Sequence, residues 1–329
     1  MRSRQRGVAL LVALLVVAIA VILVAALLDR GELALARTRN VLRGEQAEAY
    51  ALGLDAYAAQ VLTATHGTST DPDTNASPWA VPLPAQSVPG GVIAASMRDL
   101  NGCFNLNNLA PPIGSPPAWG PAAWGSTFGA LLSALQLDAR LNDAVQGWLD
   151  QARIHDEENF YLAQAVPYRA RGGLFAHVSE LRLVRGVTSE VYARLAPHVC
   201  ALPPGTKINI NTATVPVLMA LLPPGTAQAL AERLWNGGHA NYRGIDELAT
   251  AAGIPAASVP SQLIDVRSDY FLLRGDIALD EVPFTTWSLI EYRQGSAAGG
   301  VRVLARSRGS DEALVVATPG IAPPAASAL

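Results

Sequence analysis

Five histidines (His66, His155, His177, His198, His239) and two cysteines (Cys103, Cys200) are the side chains of this 329-residue chain best suited to nucleophilic or soft-metal chemistry, and they are scattered. There is no G-x-S-x-G, no H-E-x-x-H, no phosphate-binding P-loop and no C-x-x-C. Two cysteines cannot complete a four-cysteine zinc site. After Trp148-Leu149-Asp150 comes an acidic run, Asp156, Glu157, Glu158, Asn159 and Tyr161, which reads as a solvated acidic turn; Gln151 and Arg153 interrupt it, and no EF-hand spacing is present. The segment Asn209-Ile210-Asn211-Thr212-Ala213 ahead of an apolar stretch is also how helix-hairpin-helix modules begin, whose hairpin N–H groups grip phosphates. At the hairpin position, 221–230, Pro223 and Pro224 remove two donors. Around it the positives Lys207, Arg233 and Arg243 are balanced by Glu232, Asp246 and Glu247.

The whole chain agrees with that balance. It carries 24 Lys+Arg against 27 Asp+Glu, a formal net charge of −3, which argues against gripping nucleic acid as the main task. Hydrophobic residues at 50% exclude disorder throughout. The 28 glycines and 23 prolines predict long connecting loops.

The element with the plainest signal is N-terminal. Arg2, Arg4 and Arg6 precede residues 8–28, which hold no charged or strongly polar side chain. At ~1.5 Å per residue this run spans about 31 Å, the thickness of a bilayer core. The flanking arginines predict a cytoplasmic N-terminus with the bulk of the chain exported. A secretory signal would have a shorter apolar region, about 7–15 residues, ending in a small-residue cleavage site. Here the run passes into a helix-compatible stretch, 29–65, with no proline before Pro72.

Beyond it, the prolines between 66 and 91 predict a loop, 90–100 a short strand, and 111–125 a second loop. From Ser126 the spacing of Phe128, Leu131, Leu132 and Leu135, then Leu141, Val145, Trp148 and Leu149, is helical. Trp119, Trp124 and Trp148 read as core or loop anchors rather than ligand-stacking residues. Segments 177–187 and 244–254 look like two related helical modules, with Ser179 and Asp246 as starts and Gly186 and Gly253 as stops. Asn211 or Thr212 can cap the helix that follows, with Pro216 in its first turn. Residues 263–266, 270–273, 277–279, 285–292 and 301–307 read as strands, with 295–300 a flexible connection and the C-terminus a disordered tail.

An apolar helix behind a glycine is what the type IV pilin and pseudopilin class looks like. The resemblance implies cleavage by a prepilin peptidase between Gly7 and Val8, with N-methylation of Val8. Major pilins carry Glu at the fifth mature position, here Val12; a carboxylate in hydrocarbon needs a partner above it, so Val12 hints at a filament tip, and a non-filament membrane protein explains it equally well. The segments Asp99-Leu-Asn-Gly-Cys-Phe-Asn-Leu-Asn-Asn-Leu109, Ser179-Glu-Leu-Arg-Leu-Val-Arg-Gly186, Pro197-His-Val-Cys-Ala-Leu-Pro203 and 209–213 occur in that order. Together they resemble the protein K family of type II secretion minor pseudopilins.

That resemblance implies an α+β fold: a long N-terminal transmembrane helix on a small antiparallel sheet, with a large all-α insertion. The divisions are leader 1–7, transmembrane helix 8–28, its periplasmic continuation 29–65, loop and first strand 66–100, inserted helical domain 101–258, antiparallel strands 259–316 and tail 317–329. It implies a non-enzyme in the inner membrane, at the tip of a periplasmic pseudopilus, partnered by minor pseudopilins I and J and by H. It also implies calcium, at Asp150, Asp156, Glu158 and Asn159. Cys103 and Cys200 fall inside two of the motifs, and an oxidising exported side favours a bridge between them over two buried thiols. The alternative from another class is a membrane-anchored DNA-binding competence protein built on the 209–213 module.

Overall fold

The structure is a computed structural model that describes residues 4–67, 70–111, 120–293 and 300–309, with the backbone alone at 4–9, 121 and 154–157. With no proline to break it, the N-terminal region is one helix, α1 (Arg4–His66), 63 residues and about 94 Å long. Its apolar half reaches a mean hydropathy of 3.4 and is not buried by any of the described residues. Among the described residues it is the one helix long and apolar enough to cross a membrane.

The chain continues through β1 (Leu83–Val88), β2 (Gly91–Asp99), β3 (Phe104–Asn105), α2 (Pro121–Ala134), α3 (Arg140–Leu149), α4 (Ile154–Leu162), α5 (Ser189–Leu195), β4 (Val199–Cys200) and β5 (Ile208–Asn209). After these come α6 (Val215–Leu221), α7 (Gln228–Trp235), α8 (Ile245–Ala252), β6 (Ile264–Asp265), β7 (Tyr270–Leu279), β8 (Val282–Tyr292) and β9 (Val301–Arg308). Five strands form an antiparallel sheet in the order β1-β2-β7-β8-β9.

Period-two alternation gives β7 two working faces. Phe271, Leu273, Ile277 and Leu279 meet Ala47, Leu54, Ala58 and Leu62, one helical stripe of α1. Tyr270 and Leu272 face the other way, with Trp287, onto Leu100, Cys200 and Leu202 at the base of the insertion. Gly275 interrupts the first face. A Cβ there would stand 2.7 Å from Leu54 Cδ1, so its absence lets α1 lie close against the sheet. Arg43, Gln46 and Tyr50 hold the hairpin ends, through Asp280 (3.1 Å) and the Pro89 carbonyl (2.7 and 2.8 Å).

The insertion has a single apolar core running from Phe104 to Ile264, with Trp124 and Trp148 buried in it. Its two ends meet: Leu100 N–H donates to the Tyr270 carbonyl at 2.9 Å.

Several boundaries differ from the sequence reading. The loop expected over 66–91 contains β1. An edge strand serves one ladder only and so tolerates proline, and the β1–β2 register breaks between Leu83 and Gln86, around Pro84. Helix α2 starts at Pro121 rather than Ser126, because proline at the first helical position forfeits an N–H that has no partner there anyway. The first module is a 3-10 turn, Val178–Leu183, capped by His177 rather than Ser179. The second is α8, preceded by Gly244, with Asp246 inside its first turn. Left-handed glycines follow both, Gly186 at φ +84° and Gly253 at φ +70°. Thr214, not Asn211 or Thr212, stands at the N-cap of α6. The strands expected at 270–273 and 277–279 are one strand, β7. Trp119, most of 295–300 and the tail lie outside the described residues.

Candidate functional site

The asparagines of the 99–109 and 209–213 segments are buried brackets. Asn107 donates to the Phe175 and Leu202 carbonyls (3.0 and 2.9 Å) and accepts from Phe175 N–H (2.8 Å). Asn105 and Asn108 hold residues 202–206 through Leu202, Pro203, Gly205 and Thr206. Asn101 accepts from the amides of Asp269 and Tyr270 and donates to the Lys207 carbonyl. Asn211 brackets Tyr242 from both sides of its peptide. A side-chain amide carries both donors and acceptors, so one residue closes two strands of loop backbone where no ladder can form.

Beneath these brackets, α1, the sheet and the insertion converge on two buried carboxylates. Asp73 accepts from His66 Nε2 (2.6 Å), Trp79 Nε1 (2.8 Å) and the Ser268 amide (2.9 Å). Asp99 accepts from Asn101 N–H (2.7 Å), Ser268 Oγ (2.7 Å), Asn209 Nδ2 (3.2 Å) and the Thr212 hydroxyl. Gly102 makes room for this, since a Cβ there would lie 2.5 Å from the Thr212 carbonyl oxygen. The joint is a mechanical one. Each of its four carboxylate oxygens accepts at least one hydrogen bond from the same chain. Asp73 and Ser268 carried no local motif; they are 195 positions apart in sequence.

Burial pushes the Asp99 carboxyl from an ordinary 3.8 up to about 6, with the Asp73 carboxylate adding to the rise and its hydrogen bonds opposing it. A folded value above the unfolded one means that the folded state binds the extra proton. This group's contribution is therefore full below the unfolded value, about pH 4, and is lost as pH rises through about 6. The expected result is that the stability difference between the wild-type chain and Asp99→Asn shifts by about 1–2 kcal/mol between pH 7 and pH 5, in favour of the wild type at pH 5. Urea midpoints at the two pH values measure it, and a pH-independent difference would contradict it.

The other residues singled out above fall in separate places. Cys103 and Cys200 are bridged, Cα to Cα 5.8 Å, beside the parallel β3–β4 pair. Asp150 accepts from the Ala152 amide in a turn of its own at the end of α3. Glu158 faces Arg169 at 3.6 Å, and the Asp156 side chain lies outside the described residues. Among the described residues no three acidic, histidine or cysteine side chains are grouped so as to hold a metal ion. Gly7 and Val8 belong to the backbone of α1, and Val12 is exposed on it. The α6–α7 connection does turn through a left-handed Gly225 (φ +84°), which gives a hairpin shape without a basic surface.

Known proteins share this arrangement. Residues 102–204 match the family described as type II secretion system (T2SS), protein K. A type II secretion system protein K from Pseudomonas aeruginosa is 32% identical over 97% of this chain and 98% of its own length. One from Pectobacterium carotovorum is 30% identical over 88% of this chain and 93% of its own. Among solved structures, a chain in the crystal structure of the GspK-GspI-GspJ complex from the enterotoxigenic Escherichia coli type 2 secretion system superposes with a TM-score of 0.69. It is 30% identical and is matched over 83% of this chain and 99% of its own. These relatives lend the DNA-binding alternative no support. A membrane-length helix continuous with the sheet, an asparagine-bracketed insertion and this likeness along nearly the full length of both chains place the protein in the type II secretion system protein K family.

Proposed function

We propose that this chain is a minor pseudopilin that works by assembly rather than catalysis, at the tip of a periplasmic pseudopilus and in complex with minor pseudopilins I and J. The observation that carries the reading is the likeness, over 83% of the chain, to a component of a GspK-GspI-GspJ complex. The three N-terminal arginines support an inner-membrane topology with that end cytoplasmic. Cleavage by prepilin peptidase between Gly7 and Val8 would leave the apolar helix free to pack among partner helices. Val12 supports a terminal position, because a subunit with none above it has no amine to pair with a buried carboxylate. The insertion, about half of the chain, stands on the sheet as a bulky head opposed to further growth.

Mass spectrometry of the membrane-extracted protein tests the processing. With active prepilin peptidase the mature chain is expected to begin at Val8 and to carry an N-methyl group. An intact 1–7 leader under those conditions would overturn the pseudopilin reading. Copurification with minor pseudopilins I and J from detergent is the expected second result, and its absence would remove the tip assignment alone.

A further inference from the structure

The chain holds two Asn-Gly pairs, Asn101-Gly102 and Asn236-Gly237. Asparagine is thermally labile, and a following glycine adds to this, because no Cβ shields the backbone nitrogen that attacks the asparagine side chain. The fold treats the two pairs oppositely. Asn101 is buried, with its side chain fixed by the amides of Asp269 (3.2 Å) and Tyr270 (2.9 Å) and by the Lys207 carbonyl (3.0 Å). Asn236 and Gly237 are exposed. They close α7 in a run of left-handed residues, Asn236 (φ 50°), Gly237 (φ 64°) and Gly238 (φ 86°). The Asn236 side chain donates over a long 3.4 Å to the His239 carbonyl. At ψ 44° the Gly237 nitrogen points away from that side chain, so any reaction between them waits for the loop to turn. Three bonds oppose the turn: Asn236 N–H to the Glu232 carbonyl, His239 N–H to the Asn236 carbonyl (3.1 Å), and Asn75 Nδ2 to the Gly238 carbonyl (2.9 Å). Only the last reaches in from elsewhere, from the loop that also carries Asp73.

We propose that Asn236-Gly237 is a site of spontaneous deamidation whose rate is gated by Asn75, while Asn101-Gly102 is protected by the fold. When the loop turns, the Gly237 backbone nitrogen gives its proton to hydroxide or a buffer base and attacks Asn236 Cγ. The bond from Cγ to Nδ2 breaks, and ammonia leaves with a proton from solvent. Water then opens the cyclic imide at either carbonyl, leaving an aspartyl or an isoaspartyl residue at position 236. Either product places a negative charge at the C-terminus of α7, where the helix dipole opposes it. The isoaspartyl form also lengthens the backbone by one carbon just before the residue that Asn75 holds. The modification therefore loosens a tie between the insertion and the loop that carries Asp73. This inference does not depend on the secretion reading.

The test incubates the full chain in detergent, in mildly alkaline buffer, beside a parallel sample in urea. Peptide mapping by mass spectrometry follows both pairs, and labelling by an isoaspartyl methyltransferase identifies the isoaspartyl product. In urea the two pairs are expected to convert at similar rates, since they share the same chemistry. In the folded chain conversion is expected at 236 alone. Asn75→Ala is expected to speed it about fivefold, the effect of removing one hydrogen bond from a local opening, and to leave 101 unchanged. Conversion at 236 in urea but not in the folded parent would overturn the proposal, as would folded-state conversion at 101 as fast as at 236. An unchanged rate in Asn75→Ala, or a rate raised equally at both pairs, would overturn the gate and the proposal with it.

Discussion

Replacing both Cys103 and Cys200 with serine is expected to destabilise the chain by about 4–5 kcal/mol. The bridge spans 97 positions, so in the chain-entropy model it removes much of the freedom of the unfolded insertion. Its location adds to the effect. Cys200 is buried beside Leu100, Leu202, Tyr270, Leu272 and Trp287, the cluster through which the insertion rests on the sheet. A serine hydroxyl there exchanges apolar packing for one acceptor, the Leu100 carbonyl, which lies 3.5 Å from Cys200 Sγ. Urea unfolding of the double variant against the oxidised parent measures the loss. The parent treated with reductant should move toward the variant. A difference below about 1 kcal/mol would mean that the β3–β4 pair and its asparagine brackets hold the seam without the bridge.

Asp73→Ala carries the second large effect, about 3–5 kcal/mol. Truncation strips the acceptor from His66 Nε2, Trp79 Nε1 and the Ser268 amide at once, at a site where His66 is 2% and Asp73 1% exposed. Three donors remain in a space too buried to be rescued by bulk water, and each costs its own desolvation. Asp73→Asn keeps one oxygen acceptor but turns a donor toward another donor, so it is expected to fall between Asp73→Ala and the parent. Urea midpoints rank the three. Near-ultraviolet circular dichroism of Trp79 reports whether the joint itself has loosened. If Asp73→Ala proved as stable as the parent, the last turn of α1 would have to be held by packing against Phe271 and Tyr292 alone.

These two predictions also mark where sequence reading succeeds and fails. Helix α1 was legible because an unbroken apolar run and a proline-free continuation admit one structure. Strands β8 and β9 were legible because apolar and polar residues alternate along them, whereas β7, packed on both faces, was read as two shorter strands, 270–273 and 277–279. β1 was not legible, because proline is read as a breaker unless the strand is known to lie at an edge, and edge position is a property of the sheet. The asparagines stood out as a motif, yet their work as loop brackets depends on carbonyls of residues 175 and 202–207 that no local pattern names. Asp73, His66 and Ser268 gave no signal at all. Their meeting is produced by the sheet order, which lays the end of α1 and the start of β7 side by side.

That order also governs when the molecule can become itself. β2 pairs with β7, Asp99 opposite Phe271, yet the whole insertion is threaded between them. Closing a loop of that length early is costly in entropy and slow. Once the insertion has folded, its ends lie a single hydrogen bond apart, and the same closure becomes a local event. Folding of the insertion and closure of the sheet are therefore coupled: a defect that unfolds the insertion is expected to weaken the β2–β7 pairing, and with it the platform that α1 grips.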